Sequence, residues 1–199
     1  MLRSVYVVGE DIACCSLAKA ILEQLKLGVA SYEQNTHGFG ELVKIIDKMN
    51  GVAANAMPVL MIADGDQSEC VVEQINSWMP AHPADKFVLR LAVREAESWV
   101  LADREGLSEF AQVDVSVVPR EPDDIRDPKQ SLLSIIRKSK RRDLKEEMLP
   151  GKKSKAPVGL GYNLHLSTFI RENWSLARAS NNSPSLARAI PRLAERLGR

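Results

Sequence analysis

The 199-residue chain has little of what marks several protein classes. No apolar run approaches the roughly 20 residues of a membrane span, so no membrane association is expected. It has three cysteines, Cys14, Cys15 and Cys70. The first two are adjacent and cannot close an ordinary structural disulfide. No Cys-x-x-Cys occurs, which argues against a structural zinc site. All three read as small buried packing residues in a reducing, cytoplasmic setting. Met1-Leu2-Arg3-Ser4 runs straight into a strand-like segment, without the pattern of a signal peptide. His37, His82 and His165 are scattered, with neither an His-Glu-x-x-His helix nor a Ser-His-Asp arrangement. Gly38-Phe39-Gly40 and Gly159-Leu160-Gly161 lack Walker-A or dinucleotide spacing. ATP, if used at all, would come with a partner.

What is present is an ordinary globular composition, 45% hydrophobic and 27% charged, with a net charge of only +1. That balance conceals a division. Residues 1–119 carry 17 acidic and 9 basic side chains, and residues 120–199 carry 9 acidic and 18 basic. Charge asymmetry between halves is a prior for nucleic-acid contact.

The first half alternates strand and helix patterns. Val5–Val8 reads as a strand, followed by a helix capped by Asp11 and running to about Leu25. Residues 28–32 suit a short strand. Leu42, Ile45, Ile46 and Met49 have helical spacing, with Gly51 as a stop. Val59–Ala63 is a nearly continuous apolar run, as in a strand buried on both faces. A helix over about 68–79 with Val71, Val72 and Ile75 inward, a strand over 86–93, and helices over 95–103 and 104–112 follow. The expected fold is α/β, a mostly parallel sheet flanked by helices. From 119 onward, Pro119, Pro122 and Pro128 punctuate a charged loop. Asp127-Pro128 reads as a cap and first position for a helix over about 129–140, and helices are also expected over about 162–174 and 183–197. Residues 1–118 thus read as the sheet domain and 119–199 as a basic, helical appendage packed on it.

Two predicted strands end in acids: Val5–Val8 before Glu10 and Asp11, and Val59–Ala63 before Asp64-Gly65-Asp66. Open parallel sheets bind ligands outside the carboxyl ends of their strands. If these strands are neighbours, Glu10, Asp64 and Asp66 converge. Clustered carboxylates repel one another, and a hard divalent cation such as Mg²⁺ relieves the repulsion. Gly65 would let the chain turn so that both flanking acids face one site. The same motifs are also ordinary turn sequences.

In order, spacing and strand position, Val7-Val8-Gly9-Glu10 and Ile62-Ala63-Asp64-Gly65-Asp66 resemble the Toprim superfamily, the catalytic domain of topoisomerases, bacterial primases and the overcoming-lysogenization-defect nucleases. That resemblance covers residues 1–100. More narrowly, the chain is similar to a family of small Toprim-like proteins found beside an ATPase in phage-defence operons. Arg94 to Asp103, with Glu97 and Trp99, and Asp127-Pro128-Lys129 carry this second likeness over most of the chain. The resemblance implies a metal-dependent nuclease holding Mg²⁺ or Mn²⁺ on Glu10, Asp64 and Asp66, with Glu10 also a general acid or base. It implies DNA, or RNA, as substrate and an ATPase partner in antiviral defence; an oligomer stays open. Gly9 stands before Glu10 where the usual signature has a Gly after it, and Glu69 replaces a usual Gly. These departures keep a non-catalytic, Toprim-shaped nucleic-acid-binding or regulatory subunit as the alternative.

Glu97 is the best fourth acid, open equally to a site role and to a structural ion pair with Arg94. Asp103 reads as a helix terminator and Trp99 as a core anchor. Tyr6, Tyr32 and Tyr162 stand in contexts that suggest no nucleophile. Residues 137–155 carry nine Lys/Arg and three acids. Such density attracts phosphate backbones, although charge runs are often merely solvated. Lys129, Lys138, Lys140, Arg141, Arg142, Lys152, Lys153 and Lys155 are the candidate nucleic-acid contacts. No aromatics interleave with them, so base stacking is not expected there.

Overall fold

Val59–Asp64 is buried along its whole length, which requires cover on both faces of the strand. In the computed structural model, which describes residues 3–65 and 70–198, that cover is complete. The elements run β1 (Ser4–Gly9), α1 (Ile12–Gln24), β2 (Val29–Asn35), α2 (Phe39–Lys44), α3 (Ile46–Asn55), β3 (Val59–Asp64), α4 (Val71–Trp78), β4 (Phe87–Ala92), α5 (Ala96–Ala102) and α6 (Arg104–Ala111). Then come α7 (Pro128–Lys138), α8 (Arg142–Met148), α9 (Tyr162–Glu172), α10 (Leu176–Asn182) and α11 (Pro184–Leu197). The four strands pair in the order β2-β1-β3-β4, all parallel. This is the expected α/β architecture. Among the described residues, no helix is long and apolar enough to cross a membrane.

The period of two along each strand divides the core. Val5, Val7, Leu60, Ile62, Val88 and Ala92 face one layer, with α1 and α5. Val8, Val59, Met61, Ala63, Leu89 and Leu91 face the other, with α2 and α3. Leu132, Phe169, Leu186 and Leu193 from the C-terminal helices join the first layer. The basic half therefore enlarges one face of the sheet.

Four local expectations are corrected. Gly51 does not stop a helix; it lies inside α3, where an added Cβ would meet open space. Glycine costs a helix about 1 kcal/mol relative to alanine, and burial of Met49 and Ala53 in the same helix outweighs that. The helical pattern around it is two helices broken at Ile45. Val72 points outward, 65% exposed, because α4 packs through Val71 and Ile75. β2 extends to Asn35 and is half-exposed, as an edge strand is. The expected helix start at Ser68 falls outside the described residues, as does Asp66.

Candidate functional site

β1 and β3 are hydrogen-bonded neighbours, with Gly9 level with Ile62. Their ends therefore emerge together, and Glu10 and Asp64 meet. The Asp64 backbone N–H donates to Glu10 Oε2 at 3.0 Å, and the Glu10 N–H donates to the Ile62 carbonyl at 3.0 Å. Asp11 then starts α1, its Oδ1 accepting from the Cys14 N–H at 2.8 Å. Gly9 is required by close packing, since a Cβ there would sit 2.5 Å from Cys15 Sγ. Close packing also requires Gly65: its Cβ would fall 2.6 Å from the Ala92 carbonyl oxygen; the turn expected after it lies outside the described residues.

Asp64 is 8% exposed. Its Oδ1 accepts from the Ala96 N–H at 2.8 Å, so the carboxylate caps the start of α5. The Cys14 thiol lies 3.7 Å from the same oxygen. Burial pushes the Asp64 carboxyl up to about 8, with Glu97, Asp11 and Glu10 adding repulsion and the Ala96 bond opposing it. Burial also pushes the Cys14 thiol well up, with Asp64 adding to it. Cys14 and Cys15 are buried packing residues, as the sequence suggests, whereas Cys70, expected to be buried too, is only partly so.

β4 delivers the next acids. Arg94 takes a left-handed backbone (φ 65°), and α5 begins two residues later. Glu97, in the first turn of α5, is 1% exposed. It does not pair with Arg94. Its Oε1 accepts from the Tyr162 hydroxyl at 2.7 Å and lies 3.6 Å from Lys129 Nζ. Its Oε2 is buried and meets no hydrogen-bond donor among the described residues. Lys129 Nζ is also 3.6 Å from Glu95 Oε1, and the Lys129 N–H donates to Glu95 Oε2 at 3.0 Å. Asp127-Pro128 opens α7 and so fixes this lysine: Asp127 accepts from the Gln130 N–H at 2.8 Å. Burial raises the Glu97 carboxyl, against the pull of Lys129 and Tyr162. Burial alone would lower Lys129, but Glu97 and Glu95 hold its ammonium above the usual range. Burial and then Glu97 raise Tyr162, which stays a neutral donor.

The cluster therefore gathers Glu10, Asp11, Asp64 and Glu97 within electrostatic reach of one another, with Glu95 and the Lys129 ammonium group at its Glu97 side. Among the described residues, no three His, Cys, Asp or Glu side chains are arranged to hold a metal by themselves. Asp66, the third oxygen donor expected, lies outside them. What is described still suits a hard cation: oxygen donors only, excess negative charge, and one buried carboxylate oxygen without a donor.

Of the basic candidates, Lys129 reaches the carboxylates. Lys138 and Lys140 are exposed at the end of α7, with Lys140 beside Glu105 and Glu109 of α6. Arg141 pairs with Asp143 and stacks over Phe110, 4.9 Å from the ring centre. Arg142 pairs with Glu146 at 2.7 Å. These arginines are partly neutralised within α8. Lys152, Lys153 and Lys155 are exposed and make no ion pair among the described residues. Their loop is tied down at its far end, where the Gly161 N–H donates to the Glu147 carbonyl at 2.9 Å just before Tyr162.

Asp103 is structural: fully buried, it accepts from Arg178 at 2.6 and 2.8 Å and caps α6 through the Gly106 N–H. Trp99 is a core anchor, 1% exposed, its Nε1 donating to Ser185 Oγ. Glu95 and Tyr162 are site residues that sequence reasoning missed. The signal for Tyr162 is its position after the Gly159–Gly161 pair. Comparison with family models, curated proteins and solved structures gives no match to this chain.

Proposed function

We propose that the chain is a metal-dependent nuclease that hydrolyses phosphodiester bonds of DNA, or RNA, in the manner of the Toprim enzymes it resembles. The observation that carries this reading is the meeting of Glu10 and Asp64 at adjacent parallel strand ends, beside the buried and half-satisfied Glu97. Glu10, Asp64 and Asp66 would hold Mg²⁺ or Mn²⁺, with Glu97 as the fourth acid. Such an ion supplies Lewis-acid polarisation of the phosphate and a more acidic bound water. The chain's own residues do the positioning. Tyr162 and Lys129 fix Glu97 Oε1, and Ala96 fixes Asp64 Oδ1. Glu10 would serve as general acid or base, as the resemblance implies. Lys129 and the exposed lysines of the 149–161 loop would draw a phosphate backbone past the acids. The ATPase partner, the defence role and the cytoplasmic setting rest on the resemblance, the last also on the absence of a disulfide among the described residues.

Plasmid and single-stranded DNA or RNA, incubated with Mg²⁺, Mn²⁺ or EDTA, tests this. Metal-dependent cutting lost in Asp64→Ala is expected. Cutting that persists in that variant removes the site from the mechanism. No cutting, alone or with an ATPase partner, would support the non-catalytic binding subunit.

A further inference from the structure

A second charged feature lies at the other edge of the molecule. β4 is an edge strand, and α11 packs beside it. On α11 the spacing 188, 192, 196 places three arginines along one stripe. Between α4, β4 and α11 is a cavity of about 350 Å³. Arg90, Arg188 and Arg192 line it, together with the apolar side chains of Val71, Ile75 and Leu91. No carboxylate lines it among the described residues, and none pairs with these three arginines. Arg196, nearby, reaches the exposed Asp85 at 3.4 Å. Arg90 is partly buried, its Nη1 donating to the Leu89 carbonyl at 2.7 Å. Burial, then Arg192 and Arg196, depress its guanidinium. Three cations lining one cavity with no counter-charge among the described residues is an arrangement that an anion relieves.

The cavity's size and half-apolar wall are those of a small-molecule site with a few fixing charges. Guanidinium forks match phosphate geometry. We propose that this cavity binds the phosphate of a single nucleotide unit, with Arg90, Arg188 and Arg192 on the phosphate and Val71, Ile75 and Leu91 against the sugar or base. The unit is either a free mononucleotide or one residue of a strand. The site does not depend on the carboxylate cluster or on a metal.

Calorimetric titration in EDTA, at constant ionic strength, tests it with three probes: a nucleoside 5′-monophosphate, inorganic phosphate and a short single-stranded oligonucleotide. The monophosphate should bind more tightly than phosphate alone. The double variant Arg188→Gln, Arg192→Gln should weaken it at least tenfold, and Arg171→Gln, distant on α9, should leave it unchanged. Both substituted arginines are exposed, so the fold should survive, and melting curves check this; Arg192→Gln alone serves if it does not. An oligonucleotide that binds more tightly than the monophosphate, and is weakened by the same variant, assigns the phosphate to a strand. Weaker oligonucleotide binding assigns it to a free nucleotide. No saturable binding by any probe, or equal binding by the double variant, overturns the proposal. None of these outcomes bears on metal-dependent cleavage.

Discussion

Tyr162→Phe is the sharpest probe of how the buried acid is held. The ring stays, so no cavity forms; only the hydroxyl is lost. That hydroxyl donates to Glu97 Oε1 at 2.7 Å in a site where Glu97 is 1% exposed. Oε2 already meets no donor, and the next positive charge is Lys129 at 3.6 Å. A hydrogen bond to a charged, buried group is worth roughly 1.5–3 kcal/mol. For a domain near 200 residues, each kcal/mol shifts Tm by about 2–4 °C. Thermal unfolding in EDTA, followed by circular dichroism, should therefore show a fall of roughly 3–12 °C. Tyr32→Phe, at a half-exposed position, is the control and should barely move it. A fall no larger than the control's would show that Tyr162 does not carry Glu97's charge, and the description of this corner would be wrong.

Arg178→Ala strips the guanidinium from Asp103, a fully buried carboxylate. Leaving such a charge unpaired costs roughly 3–5 kcal/mol, and chemical denaturation should show it; a loss under about 1 kcal/mol would refute the assignment. The metal-free protein should also lose stability as pH rises. Asp64 is pushed up to about 8 when folded, so between about pH 4 and 8 the folded chain keeps a proton the unfolded chain has lost. Its Tm in EDTA should be higher at pH 5 than at pH 8, and Asp64→Asn should flatten that slope. A slope unchanged by Asp64→Asn would show that the carboxyl is not held in its neutral form.

The sheet was legible because its signals are local. The nearly continuous apolar run of Val59–Ala63 suits a strand covered on both faces, and acids directly after two strands pointed to the sheet edge of the candidate site. Lys129 was legible through Asp127-Pro128, a helix start that gives the lysine a definite place. Tyr162 was not legible, because its bond to Glu97 joins residues 65 apart and no local pattern encodes that pairing. α8 and α10 were missed because each has seven residues and buries only two side chains, too few for a periodic signal. Within α8, the charges that read as a free basic run are partly spent on Asp143 and Glu146. Gly51 misled because glycine is also tolerated inside a helix where neighbouring side chains supply the burial.

The central claim, a cation held at the ends of β1 and β3 for phosphodiester cleavage, is tested most directly by supercoiled plasmid nicking with Mn²⁺. Wild-type protein is compared with Asp64→Asn, which removes the charge and keeps a side-chain oxygen to accept the Ala96 hydrogen bond. Cleavage that needs Mn²⁺, stops with EDTA and falls by at least a hundredfold in Asp64→Asn is the predicted result. Cleavage that is indifferent to EDTA or to Asp64→Asn would contradict it.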